Sequence, residues 1–235
     1  PRDPNRLFPG DEPTSDDPVE AARALGIPGV SETAYAVLFA ELRASADLYI
    51  DLHCFGLQAA SFIISDRILY RDEAERPALE QLAARLDGLC QASGLPVVRE
   101  LTVRSYVARR LHRSTSGAAV NVGRIPAVTV ELGLIGGVDP AALAAGLAAV
   151  RNMLRWAQML PGDREPVDMV PQPAPGYPTM RDSTPRAPAS GVIRYHVVPG
   201  QMFAAGQLLA TLTDLHGRPI PDGALRAEAA GWVLG

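Results

Sequence analysis

The segment Ile125-Pro126-Ala127-Val128-Thr129-Val130 limits the possible folds of this chain more than any other stretch. It is almost continuously apolar or β-branched, the pattern of a strand covered on both faces, and it stops at Glu131-Leu132-Gly133. A doubly covered strand needs helices on both sides of its sheet, and the sequence supplies them. Residues 31–44 place Ala34, Val37, Leu38 and Leu42 at helical spacing behind Ser31 as N-cap. Residues 77–90 gather Leu79, Leu82, Ala83, Leu86 and Leu89 on one side, and a third helix opens at Asp139-Pro140 and runs to about residue 160, with Pro161-Gly162 behind it. Strands alternating with such helices predict an α/β layer with a mixed, mostly parallel sheet flanked by helices.

A second strand is read from Asp47-Leu48-Tyr49-Ile50-Asp51-Leu52-His53. Alternation puts Leu48, Ile50 and Leu52 on one face and Tyr49, Asp51 and His53 on the other. Both strands therefore end on one ionisable residue, His53 in one and Glu131 in the other, and in open α/β sheets ligands sit beyond the strand ends. A hydrogen-bonded structural histidine and a solvated strand-end glutamate are the plain alternatives. Further strands are predicted at residues 61–65 and 97–103.

Residues 1–18 carry proline, aspartate and glycine in the manner of a loop. Within them Asp3-Pro4-Asn5-Arg6-Leu7-Phe8-Pro9-Gly10 offers a guanidinium fork beside an amide, suited to a carboxylate, or else a polar turn. The organisation read from the sequence is an α/β domain over residues 1–162, a proline-rich connector over 163–190 and a small all-β module over 191–235. The connector has seven prolines between Pro166 and Pro188, and the module alternates short apolar runs with glycine turns. Tyr195 and Trp232 are expected to pack inside it, with His196 and His216 at its surface.

Composition excludes several classes. A net charge of −4 with no basic tract argues against nucleic-acid binding, and no apolar run is long enough to argue for a membrane span. Cys54 and Cys90 have no zinc-type pairing and read as buried thiols of a reducing, cytoplasmic setting. Arg104, Arg109, Arg110 and His112 read as a solvated basic loop or as the rim of a pocket. There is no lysine, so the β module cannot be a lysine-modified carrier.

The segments DPNRLFPG (3–10), DLHC (51–54) and AVTVELG (127–133), in this order and followed by a glycine-rich β module, resemble the succinylglutamate desuccinylase/aspartoacylase family of the zinc carboxypeptidase superfamily. The resemblance implies a zinc-carboxypeptidase-like sheet with a barrel-sandwich-like module, and a zinc-dependent hydrolase acting on the amide bond of a small N-acyl amino acid. It implies that His53 is a zinc ligand, that Glu131 is the catalytic carboxylate, and that Asn5 and Arg6 hold the substrate's carboxylate. Asp51 is expected behind His53, either orienting it or as a structural carboxylate. The family's other two zinc ligands come from a His-Gly-Asp/Asn-Glu segment that is absent from this sequence. They are expected upstream of Pro1, or else the metal has been lost. A peptide-cleaving metallocarboxypeptidase and a metal-free binding protein are the competing functions, and a homo-oligomer is compatible with all three.

Overall fold

The computed structural model describes residues 3–8, 30–56, 58–70, 73–168, 179–182 and 184–235. Four helices of the α/β part surround its sheet: α1 (Val30–Ser45), α2 (Arg76–Ser93), α3 (Val103–Ala108) and, after a one-turn α4 (Thr115–Ala118), α5 (Pro140–Trp156). The sheet has five strands, β1 (Tyr49–His53), β2 (Phe62–Ser65), β3 (Val97–Arg99), β4 (Ala127–Glu131) and β5 (Thr179–Met180), in the order β1-β4-β2-β3-β5. All neighbouring pairs are parallel except β2 with β4. The mostly parallel sheet follows from the strand–helix alternation, and β5 adds an edge from within the proline-rich segment.

β4 is the centre of this layer. All five of its residues are buried, as a doubly covered strand requires. On one side Val128, Val130 and Ile63 pack with Leu86 and Leu89 of α2 and Ala145, Ala149 and Met153 of α5. The small alanines of α5 let this helix lie close to the sheet, and its start is set by Asp139, whose carboxylate accepts from the Ala141 amide at 2.9 Å. After Glu131 the chain turns at Gly133, φ +60, with the Ala142 methyl packed where a side chain would sit. Only glycine meets both conditions.

Several expectations are corrected. In α1 Ser31 is the second helical residue rather than the cap, and the buried positions are Glu32, Ala36 and Phe39, while Val37 and Leu38 are 46% and 53% exposed. Phe39 packs with Phe8 and Ala118, and that aromatic contact sets the helix rotation against the aliphatic stripe. Residues 97–103 form only a three-residue strand, because Thr102 caps α3 by accepting from the Ser105 amide. Cys54 is exposed while Cys90 is buried, with its thiol pushed up to about 12 by desolvation. Arg104, Arg109 and Arg110 are exposed, on or beside α3. Most of the proposed loop at residues 1–18 and part of the connector lie outside the described residues.

The carboxyl-terminal part is all β. β6 (Val192–Tyr195), β8 (Leu208–Thr213) and β9 (Pro219–Arg226) form an antiparallel sheet, and β7 (Met202–Phe203) pairs with β10 (Gly231–Trp232). Trp232 is buried, but Tyr195 is 67% exposed on an edge strand and does not pack in the module. His196 and His216 are exposed. The module's end returns to the large sheet: the Ala60 amide donates to the Leu234 carbonyl at 2.9 Å, and Trp232 meets Phe62 edge-on at 6.2 Å between ring centroids. Among the described residues no helix is long and apolar enough to cross a membrane.

Candidate active site

Strand pairing builds the site. β1 and β4 run side by side with Asp51 opposite Thr129 and His53 opposite Glu131. Residues that are register partners on adjacent strands point to the same face, and such strands are about 4.8 Å apart. The imidazole and the carboxylate therefore leave the sheet next to each other at its edge, on the face opposite the α2/α5 core. Two segments far apart in sequence, each an apolar run ending on one ionisable residue, meet at those residues.

Asp51 holds the imidazole. Its Oδ2 accepts from His53 Nε2 at 2.9 Å, which leaves Nδ1 as the ring nitrogen with a lone pair to offer. That hydrogen bond raises the His53 pKa; burial opposes it, the Asp51 and Glu131 charges add to it, and the Arg6 charge works against it. Tyr49, one more step along the same face, is pushed up to about 12 by burial and by the Asp51 carboxylate.

Glu131 is only 7% exposed, and its Oε2 is buried without a hydrogen-bond partner among the described residues. Burial raises its pKa, while the positive charges of His53 and Arg181 hold it down. A buried carboxylate oxygen left without a partner is costly in a finished core and useful where a substrate, water or ion completes it.

The 3-10 turn Pro4–Arg6 brings Arg6 to this edge, since its charge is felt at His53. Asp3 caps the turn by accepting from the Asn5 amide at 2.9 Å. Asn5 plays a part the sequence did not reveal. Its Oδ1 accepts from the Thr115 amide at 2.8 Å and from the Thr115 hydroxyl at 3.0 Å, clamping the turn to α4. Phe8 extends the clamp, its carbonyl accepting from Arg113 Nε at 3.1 Å. Asn5 thus positions Arg6 and has only its Nδ2 to offer a ligand.

Behind these groups runs a buried polar chain that sequence reading missed. Thr129 shares a 2.8 Å hydrogen bond with Ser116, and the Ser116 hydroxyl acts to lower the Asp66 pKa. The Tyr106 hydroxyl donates to Asp66 Oδ1 at 2.6 Å. Asn121 braces the chain by donating to the Gly117 and Arg67 carbonyls at 3.0 and 2.9 Å. At Gly117 any side chain would collide with the Leu111 carbonyl oxygen. The signal was present in alternation, since Thr129 shares a face with Glu131 and Asp66 lies just past β2.

Burial moves the Asp66 carboxyl from 3.8 to about 6, and its Oδ2 has no partner among the described residues. A carboxyl raised in the folded state binds more protons folded than unfolded, so stability falls as pH rises through the window from about 4 to 6. The loss is about 3 kcal/mol at 1.36 kcal/mol per tenfold change in proton affinity. Asp66→Asn is expected to remove this slope: urea titrations should show the variant gaining on the parent by about that amount between pH 4 and 7. Parallel pH profiles would show that Asp66 is not the titrating group.

The residues present fit a metal ion in one coordination position. Among the described residues His53 keeps one ring nitrogen open and has a carboxylate on its other nitrogen, the usual support of a ligating histidine, and Glu131 Oε2 has no hydrogen-bond partner. Among the described residues no group of three His, Cys, Asp or Glu side chains is placed to hold a metal. A three-ligand zinc site would need donors from outside them.

No family model matches the sequence, and no curated protein does. Solved structures do match by fold. A succinylglutamate desuccinylase from Silicibacter sp. TM1040 superposes with a TM-score of 0.65 at 19% identity, over 98% of this chain and 61% of its own. The apo ectoine utilization protein EutE (DoeB) from Ruegeria pomeroyi gives 0.64 at 24%, over 99% and 64%. A succinylglutamate desuccinylase/aspartoacylase from Rhodobacter sphaeroides gives 0.62 at 22%, over 99% and 62%. The chain spans about three fifths of the length of these structures. The α/β layer with its carboxyl-terminal β module has the fold of the succinylglutamate desuccinylase/aspartoacylase proteins.

Proposed function

We propose that this protein is a hydrolase that cleaves the amide bond of small N-acyl amino acids, with Glu131 as the proton-transfer group. One observation carries the reading: His53 and Glu131, whose buried Oε2 has no hydrogen-bond partner among the described residues, are register partners at the end of adjacent parallel strands. The fold it shares with desuccinylases supports the same chemistry.

Glu131, in its ionised form, takes a proton from the attacking water and returns it to the departing nitrogen. A positioned acid–base group of this kind contributes about 10²–10⁴-fold. Its burial makes the carboxylate more basic than a solvated one, and His53 and Arg181 keep that effect in check. Arg6 takes the substrate's carboxylate through its guanidinium, and Asn5 fixes Arg6 through the clamp on Thr115. His53 would hold zinc through Nδ1, with Asp51 orienting the ring, and the remaining protein ligands would have to come from outside the described residues. A bound zinc supplies Lewis acidity to the carbonyl and acidifies water to about neutrality.

The test is turnover by the full-length protein. Acetyl- or succinyl-amino acids are expected to be hydrolysed, and peptides longer than two residues to be poor substrates. Comparable peptide turnover would favour a carboxypeptidase instead.

A further inference from the structure

The larger sheet of the β module ends on an open strand. Among the described residues β6 pairs only with β8, so its other edge has no strand beside it. Every residue of β6 is exposed, and three of them are Val192, Ile193 and Tyr195. Edge strands of this kind recruit a further chain unless charge, proline or a bulge blocks them. β6 has no proline, its ladder with β8 runs without a bulge, and its one charge is Arg194.

The pairing with β8 fixes which backbone groups are on offer. The His196 amide donates to the Leu209 carbonyl at 2.8 Å, and in an antiparallel ladder such bonded pairs recur at every second residue. The amides and carbonyls of Val192 and Arg194 are therefore turned to β8, and those of Gly191, Ile193 and Tyr195 are turned outward. The same alternation sorts the side chains. Ile193 and Tyr195 stand on the face of their register partners Leu212 and Ala210, which are buried, while Val192 and Arg194 stand with Thr213 and Thr211 on the other face.

A second copy of β6 meets this edge with matching groups. An antiparallel partner has to set outward-turned residues opposite one another. Centring the pair on Arg194 opposes like charges, which is destabilising. Centring it on Tyr195 sets Arg194 against His196 and leaves Gly191 opposite the turn at Pro199. With Ile193 on the two-fold axis, Ile193 meets Ile193, Tyr195 meets Gly191 and Arg194 meets Val192, each in both directions. Any side chain at Gly191 would run into the Thr213 carbonyl and the Ile220 side chain, so the surface there stays bare, and the opposing Tyr195 ring, 67% exposed in the single chain, covers it. The Arg194 stem lies along Val192, itself 51% exposed, with the charge left in water.

We propose that β6 is a self-association surface: two copies of this chain pair their β6 strands antiparallel about a two-fold axis at Ile193, joining two three-stranded sheets into one continuous sheet.

Sedimentation velocity of the full-length protein between about 1 and 200 µM tests this, a range that spans weak association. Two short strands bury an area at the small end of specific interfaces, below about 1,200 Å², so a reversible dimer with a Kd of about 10–100 µM is expected. Val192 is exposed, so charge variants there read the register without disturbing the core. Val192→Glu sets a carboxylate against the partner's Arg194 on both sides of the axis and should tighten association about 3- to 10-fold. Val192→Arg should weaken it by a like factor, and adding Arg194→Glu to that variant should restore it. Hydrogen exchange at the Ile193 and Tyr195 amides should slow as concentration rises. A monomer throughout the range, or a dimer indifferent to these charges, would overturn the proposal. So would amides already protected at the lowest concentration, because the edge would then be covered from within the chain.

Discussion

Glu131→Gln is expected to lower turnover of an N-acyl amino acid by about 10²–10⁴-fold with little change in KM. Glutamine keeps the shape of the side chain, so the β4 ladder and its pairing with His53 should persist. What is removed is the ability to accept a proton. The position is buried, and its Oε2 has no partner among the described residues. The effect should appear in kcat because the proton moves only during reaction. Turnover within about threefold of the parent would remove Glu131 from the chemistry.

Phe62→Ala should cost about 3–5 kcal/mol of folding stability, the range for truncating a buried aromatic. Phe62 is fully buried, edge-on to Phe55 at 5.5 Å and to Trp232 at 6.2 Å. It lies on β2 directly beside Glu131 and is the point at which the β module rests on the large sheet. The cavity would open under both. Denaturant titration followed by tryptophan fluorescence measures the loss, and Trp232 lies at the site of change. A loss below about 1 kcal/mol would mean that the module does not depend on this contact.

The layer architecture was legible because each strand and helix carries its own period. The runs at 47–53 and 125–130 alternate or stay apolar for the reasons that make them strands, and Leu79, Leu82, Leu86 and Leu89 all reach the core. The pairing of His53 with Glu131 could be guessed from their like positions, but only the β1-β4 order makes them neighbours. That order depends on long-range packing, and so does the antiparallel entry of β2. The rotation of α1 was misread since Phe39 finds its partner in Phe8, 31 positions earlier in the chain. Asn5 looked like a ligand-binding amide, and its bond to Thr115 is a contact between residues 110 apart. Arg181 stood in a segment read as a connector, where nothing local shows that two residues of it would add an edge strand. Short-range pattern thus revealed the strand ends to which the chemistry is assigned in the proposal, and missed the groups that hold those ends from a distance.

The most direct measurement is the zinc content of the purified full-length protein, parent and variants side by side. About one zinc per chain is predicted for the parent and for Glu131→Gln, falling to background in His53→Ala while the fold persists. Zinc bound equally well without the His53 imidazole, or absent from the parent after reconstitution, would contradict the account.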